Sequence, residues 1–158
     1  MPTSIQIKKR LRASKRLFKA GDIDQLTKVC VAINRKQPQF TPIAHSWQMQ
    51  GLSVEPMEDL FETFLILYHA LNVGCKVKFP TFTMESIADR IEAFASFARF
   101  YEMEAELGEA DPDVIQFIKN PTLLRYASLS LGSIEGALPK EVTASYLALV
   151  KSLEDHLT

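Results

Sequence analysis

The sequence predicts an all-α fold, a compact single-domain bundle of about seven helices, four or five of them long. Apolar residues recur at spacings of three and four. The six glycines lie at or between the ends of these segments, and the eight prolines lie outside helix interiors or in first turns. A chain of 158 residues is the size of one domain. We therefore expect one domain over residues 1–158, with more than about 60% helix and no sheet.

The N-terminal half contains three of the predicted helices. The first covers Ser4–Ala20 and is amphipathic and basic, and Asp22 caps a second that ends near Arg35. A long ordered loop is predicted near residues 36–52. Ser53 is expected to cap a third helix that reaches Asn72, and its later part is apolar nearly all round, which indicates a central buried helix.

The C-terminal half contains four more predicted helices. The longest, from Met84 to about Leu107, has apolar residues in a strict three-four alternation. A short helix from Asp111 to about Lys119 follows, then one over Thr122–Leu131, and a last one opens at Pro139. Residues 76–82 could be extended, although Pro80 argues against a paired strand. The core should include Phe64, Leu65 and Tyr68, with Ile87, Ile91 and Phe94 beside them.

Charge is distributed very unevenly along the chain. Residues 1–36 hold ten Lys or Arg and two acids, whereas residues 37–158 hold eight and seventeen, so that net charges of +8 and −9 give the formal total of −1. On a wheel of about 100° per residue, six cations of the first helix fall within about 120°. This basic face comprises Lys8, Lys9, Arg12, Lys15, Arg16 and Lys19.

Three interpretations of the basic face are open. It could bind nucleic acid phosphates, attract an acidic protein partner or an anionic membrane surface, or lie solvated near the chain's own acids at 102–113. We favour a protein partner over nucleic acid because the rest of the chain is acidic and no aromatic residues are interleaved with the lysines. The first 21 residues also resemble a mitochondrial presequence in composition, but we expect them to belong to the folded domain.

A second contact site is predicted on the loop near residues 36–52. That loop carries the only tryptophan, Trp47, beside His45, and a rigid aromatic among polar groups is typical of interface hot spots. The alternative is that Trp47 folds inward and pins the loop to the bundle.

The sequence offers little sign of catalysis. His69 follows Glu62 by seven residues, which could form an acid–base pair, although a core-edge histidine with a hydrogen bond is the simpler interpretation. Cys30 is expected to be a buried packing residue. The aromatic cluster Phe94, Phe97, Phe100 and Tyr101 could line a ligand pocket but more often forms core. We predict no catalytic residue, no metal and no cofactor.

The sequence thus favours a non-enzymatic macromolecular-interaction protein, a small cytoplasmic regulatory or adaptor protein. A nucleic-acid-binding accessory protein that uses the basic face is the alternative, and a small-ligand-binding or enzymatic bundle comes third. No apolar run reaches the roughly 18 residues of a membrane span. The cations from Lys8 to Arg16 also interrupt any signal-peptide core.

Overall fold

The computed structural model describes residues 1–106, 117–134, 136 and 138–157, and for residues 99–106 only the backbone. Across these residues run α1 (Ser4–Ala20), α2 (Ile23–Lys36), α3 (Phe40–Met49), α4 (Val54–His69), α5 (Met84–Glu106), α6 (Pro121–Gly132) and α7 (Lys140–Glu154). A π-helical turn, Ala70–Gly74, continues α4. No strand occurs in the described residues, and helices cover most of them, which confirms the all-α prediction.

Side-chain caps explain why several helices begin where they do. Thr3 and Gln6 form a reciprocal capping box at α1, with hydrogen bonds of 3.2 and 2.8 Å. The Asp22 carboxylate accepts from the backbone amide of Asp24 at 2.8 Å, as predicted for α2. Ser53 occupies the cap position of α4, but its side chain makes no capping hydrogen bond.

The core lies between α3, α4 and α7, with α5 and α6 packed against α7. Phe40 of α3 meets the rings of Phe64 and Tyr68 edge-on, at centroid distances of 4.9 and 5.3 Å. Of the predicted core residues, Phe64, Tyr68 and Ile87 are fully buried. Leu65 and Ile91 are only partly buried, which places them at the edge of the core. Phe94 is also half-buried, and its ring packs against that of Phe117.

Residues 75–83 contain no helix and no strand, and a buried side chain holds them in place. Gln37 is fully buried at the end of α2. Its Nε2 donates to the carbonyl of Pro80 at 2.7 Å, and its Oε1 accepts from the amide of Phe82 at 2.9 Å. One glutamine thus supplies hydrogen bonds that a partner strand would otherwise provide.

The prediction of a loop near residues 36–52 was wrong, because most of this segment forms the helix α3. Pro42 is the third residue of α3, where the missing amide has no intrahelical partner to lose, so it does not oppose the helix. Phe40, Ile43, Ala44 and Trp47 keep the three-four spacing of an inward face, and all four are buried.

The short helix predicted from Asp111 to Lys119 falls largely outside the described residues. Its described end, residues 117–119, is not helical. Asn120 lies next to this bend and caps α6 by accepting from the amides of Thr122 and Leu123 at 3.0 and 3.2 Å. Because its side chain caps α6 and its backbone is extended, the preceding helix cannot continue through it.

Candidate interaction surface on the first helix

One side of α1 is anchored in the bundle. Ile7, Ser14 and Phe18 are buried, and Leu11 is partly buried. These residues recur at spacings of three, four and seven, so they form one stripe, and this stripe packs on α4 and the π turn. The anchoring fixes which way the remaining side chains of α1 point.

The basic face points away from this anchor. All six of its residues, Lys8, Lys9, Arg12, Lys15, Arg16 and Lys19, are exposed. Of these six cations, only Lys19 forms a salt bridge with a described residue, with its Nζ 2.8 Å from Oε1 of Glu62 on α4. Five cations are therefore left without an ion pair in the described part of the chain. The third interpretation placed the acids of residues 102–113 near these cations, and the side chains of that segment lie outside the described part of the chain.

Ser14 and His69 form the main polar contact beneath α1. The Oγ of Ser14 and the Nδ1 of His69 are 2.8 Å apart, and the ring of Phe18 meets the imidazole edge-on at 6.0 Å. Desolvation by burial lowers the pKa of His69, which favours the neutral imidazole. His69 is thus a core-edge residue that links α4 to α1.

The possible acid–base pair of Glu62 and His69 does not form. Glu62 is turned toward Lys19, whereas His69 is bonded to Ser14 on the inner stripe of α1. Burial, followed by the charge of Glu62, raises the pKa of the Cys30 thiol, which favours the unreactive protonated form. Neither the Glu62–His69 pair nor the Cys30 thiol therefore forms a nucleophile that is activated by a neighbouring base.

The second predicted contact site is not available at Trp47. Trp47 is fully buried, its Nε1 donates to the Oγ of Ser145 at 3.0 Å, and its ring lies 6.3 Å from that of Tyr146. The contact-site prediction for Trp47 was wrong, because helix α3 turns its indole onto α7. His45 lies on the same helix and is exposed, so its role stays a prediction.

The aromatic cluster is divided between described and undescribed side chains. Phe94 and Phe97 pack against Phe117, with centroid distances of 5.3 and 6.2 Å. Phe100 and Tyr101 lie outside the described side chains. Phe94 also lines an apolar groove of about 660 Å³ between α3, α5 and α7, together with residues such as Ile43, Met84, Ile91 and Leu138.

In the described ranges no three His, Cys, Asp or Glu residues are grouped so that they could hold a metal ion. None of the described helices combines the length and apolarity needed to cross a membrane.

The sequence patterns did not indicate Arg10, Lys76 and Lys78 as candidate binding residues. Arg10 belongs to the same run as the basic face but projects from another side of α1, toward Gly74. Lys76, Lys78 and His156 lie beside it in space. The sequence separates these residues by as many as 146 positions, so only the fold could bring them together.

Comparison with known proteins gives no family for this chain. No family model matches it, and no curated protein or solved structure matches it either.

Proposed function

We propose that the protein is a non-enzymatic binding protein, a small cytoplasmic regulator or adaptor, that docks an acidic surface of a partner protein on the basic face of α1. The observation that carries this proposal is the set of five exposed cations on one anchored helix that form no salt bridge with the described residues. A surface of this kind is complementary to a row of carboxylates.

Repulsion among these cations raises the free energy of the unbound protein relative to its complex with an acidic partner. Lys8, Arg12 and Arg16 follow one another at intervals of four residues, so their charges lie on neighbouring turns and repel each other. An acidic partner removes this repulsion. The helix is also pre-ordered by its buried stripe, so binding need not fold it, and less conformational entropy is lost.

A protein partner fits the rest of the chain better than nucleic acid does. A duplex carries negative charge along its whole length, and residues 37–158 have a net charge of −9, so contact beyond α1 would be repulsive. A partner protein can confine its acidic residues to the area opposite α1. Cys30 and Cys75 are free thiols, which agrees with a reducing compartment such as the cytoplasm.

The test uses two variants with equal loss of charge. The face variant carries Lys8→Gln, Arg12→Gln, Lys15→Gln and Arg16→Gln. The control variant carries Lys28→Gln, Arg35→Gln, Lys36→Gln and Lys119→Gln, all at exposed positions away from the basic face. Wild type and both variants serve as baits in affinity capture from the native host, with mass spectrometry and quantification of bound nucleic acid.

The expected result is a protein retained by the wild type and the control variant but lost from the face variant. Titration of the purified partner should then show an affinity that falls with added salt, because screening weakens contacts between exposed charges. Retention of the same proteins by all three baits would contradict the proposal. Binding of nucleic acid alone, again lost only from the face variant, would replace it with the nucleic-acid function.

A further inference from the structure

A second cationic site lies on another side of α1. A cavity of about 610 Å³ is bounded by α1, the residues after the π turn and the residues after α7. Arg10, Lys76, Lys78 and His156 are among the residues that line it, and no Asp or Glu occurs among the described residues of the lining. Arg10 lies about 160° around the helix from the middle of the basic face, so the two surfaces are separate.

His156 is held in a defined orientation in this cavity. Its Nδ1 lies 2.9 Å from the carbonyl oxygen of Ser152, and because a carbonyl only accepts, Nδ1 carries the proton. Its ring packs edge-on against Phe79 and Phe82, at 6.2 and 5.4 Å. The other ring nitrogen, Nε2, has no hydrogen-bond partner among the described residues. With the proton on Nδ1 it can accept from a P–OH group of a ligand, and it can donate to a phosphate oxygen only when the ring carries a second proton.

Lys76 has a backbone conformation that is unusual for its residue type. Its φ is 58°, in the left-handed region, and it is the one non-glycine residue with positive φ in the described chain. Glycine or asparagine adopts this region more readily than lysine does. The amide of Val77 donates to the carbonyl of Leu71 at 2.9 Å, so Lys76 occupies the left-handed cap position that ends the π turn, and this position fixes where its side chain starts.

Arg10 is positioned by close packing on the turn. A β-carbon added to Gly74 would come within 2.8 Å of the Arg10 Cβ, so the stem of Arg10 lies directly on the glycine backbone. Asp155 precedes the lining residue His156 in the sequence, but its carboxylate forms salt bridges with other residues. Its Oδ2 is 3.0 Å from Nε of Arg90 and its Oδ1 is 3.3 Å from Nζ of Lys151. The cationic charge of the cavity is therefore left uncompensated by Asp155.

We propose that this cavity binds a small molecule that carries one or more phosphate groups. Phosphate offers the multiple charges and acceptor oxygens that several convergent cations can contact, and the planar guanidinium of Arg10 suits bidentate binding. The volume is within the range of small-molecule sites. Phosphate in a soluble compound and phosphate in a lipid headgroup share this chemistry.

A purely structural role for the lysines makes a different prediction. The cavity adjoins the C-terminal end of α4, where the helix dipole favours cations, so Lys76 and Lys78 could act only as electrostatic caps. In that case their removal would lower the thermal midpoint of unfolding but leave no anion binding to be lost. The two roles are separated by measuring stability and binding on the same samples.

The experiment is calorimetric titration of the full chain with pyrophosphate at low salt, with acetate as the control anion. We expect saturable binding of pyrophosphate but not acetate. The variant Lys76→Gln with Lys78→Gln should bind roughly tenfold more weakly or worse, because it loses charged hydrogen bonds. The matched variant Lys28→Gln with Lys36→Gln removes the same charge elsewhere and should bind as the wild type does.

Two further arms identify the source of the phosphate and separate this site from α1. Inositol trisphosphate in solution is compared with phosphatidylcholine vesicles that contain phosphatidylinositol bisphosphate. Tighter binding of the vesicles assigns a lipid, and equal or tighter binding of the free compound assigns a soluble ligand. The face variant should retain pyrophosphate binding, so this proposal and the proposed function can fail independently.

The proposal is overturned if the wild type binds none of these phosphate compounds. It is also overturned if the matched lysine variant loses as much affinity as the cavity variant does, since binding would then follow net charge alone.

Discussion

Helices α1 and α3 are the two segments that the sequence marked as contact sites, and the fold treats them in opposite ways. On α1 the marked residues are exposed and five of them form no salt bridge with the described residues. On α3 the marked Trp47 is fully buried and hydrogen-bonded to Ser145. A row of unpaired charges must stay exposed to water because burying it is very costly, whereas a lone tryptophan occurs both in cores and at surfaces.

The largest effect that tests this contrast is expected from Trp47→Ala. Removing a fully buried indole leaves a cavity between α3 and α7 and should lower the free energy of unfolding by about 3–5 kcal/mol. Urea denaturation measures the loss. Affinity for the partner of α1 should be unchanged, and acrylamide should quench the native Trp47 fluorescence poorly.

The conservative variant Trp47→Phe serves as the control. It keeps an aromatic ring but removes the Nε1 donor, which leaves the Oγ of Ser145 without its partner. We expect a smaller loss, about 1–3 kcal/mol. Ready acrylamide quenching in the wild-type protein would break the contrast, since Trp47 would then be exposed as α1 is.

The next effect is expected where α1 touches the π turn. Gly74→Ala would force a β-carbon to within 2.8 Å of the Arg10 Cβ, close to the backbone of α1, so the helix must shift. We predict a loss of about 1–3 kcal/mol in the free energy of unfolding. Gly132→Ala is the matched control, because its new β-carbon meets nothing within 4 Å. Equal effects of the two variants would mean that α1 is loosely held.

A smaller change of opposite sign is expected from the face variant. Removing the like-charge pairs Lys8–Arg12, Arg12–Arg16 and Lys15–Lys19 should raise the free energy of unfolding by roughly 0.5–1 kcal/mol, as each such pair costs a few tenths. The control variant removes Arg35 and Lys36 from the last turn of α2, where cations are favourable, and should be slightly less stable than the wild type. Thermal unfolding at low salt measures both, and a destabilised face variant would show that these cations contribute to the fold.

The smallest effect is expected from titration of His69. Burial lowers its pKa from the ordinary 6.5, so the unfolded chain takes up the proton first as the pH falls. Stability contributed by neutral His69 is therefore complete above pH 6.5 and decreases as the pH falls below it. His69→Gln should flatten this part of the stability–pH curve. A curve of unchanged shape would exclude His69 as its cause.

The fold was largely predictable because its signals are local. The three-four spacing of apolar residues and the Asp22 cap locate α1, α2 and α5 from neighbouring residues alone. The helix α3 was missed because Pro38 and Pro42, which stiffen a chain, are typical of an ordered loop. Its apolar spacing from Phe40 to Trp47 was visible and carried the correct information.

The candidate sites divide along the same line. The basic face is one helix, so its geometry follows from spacing within a single element. The cationic cavity joins α1, the segment after the π turn and the chain end after α7, and nothing in the sequence places Arg10 near His156. That site required the tertiary packing of α1 on the π turn.

The Gln37 side chain has a consequence for hydrogen exchange. The Phe82 amide belongs to no helix or strand, yet it is buried and donates to the Gln37 Oε1. It should therefore exchange with deuterated water at the slow rate of a core helix amide, whereas the exposed neighbour Thr81 should exchange quickly. We expect the Phe82 amide to be protected while its neighbours are not, and we expect Gln37→Ala to remove this protection. Both results together would show that the Gln37 side chain sets the free energy of opening of the connection between α4 and α5.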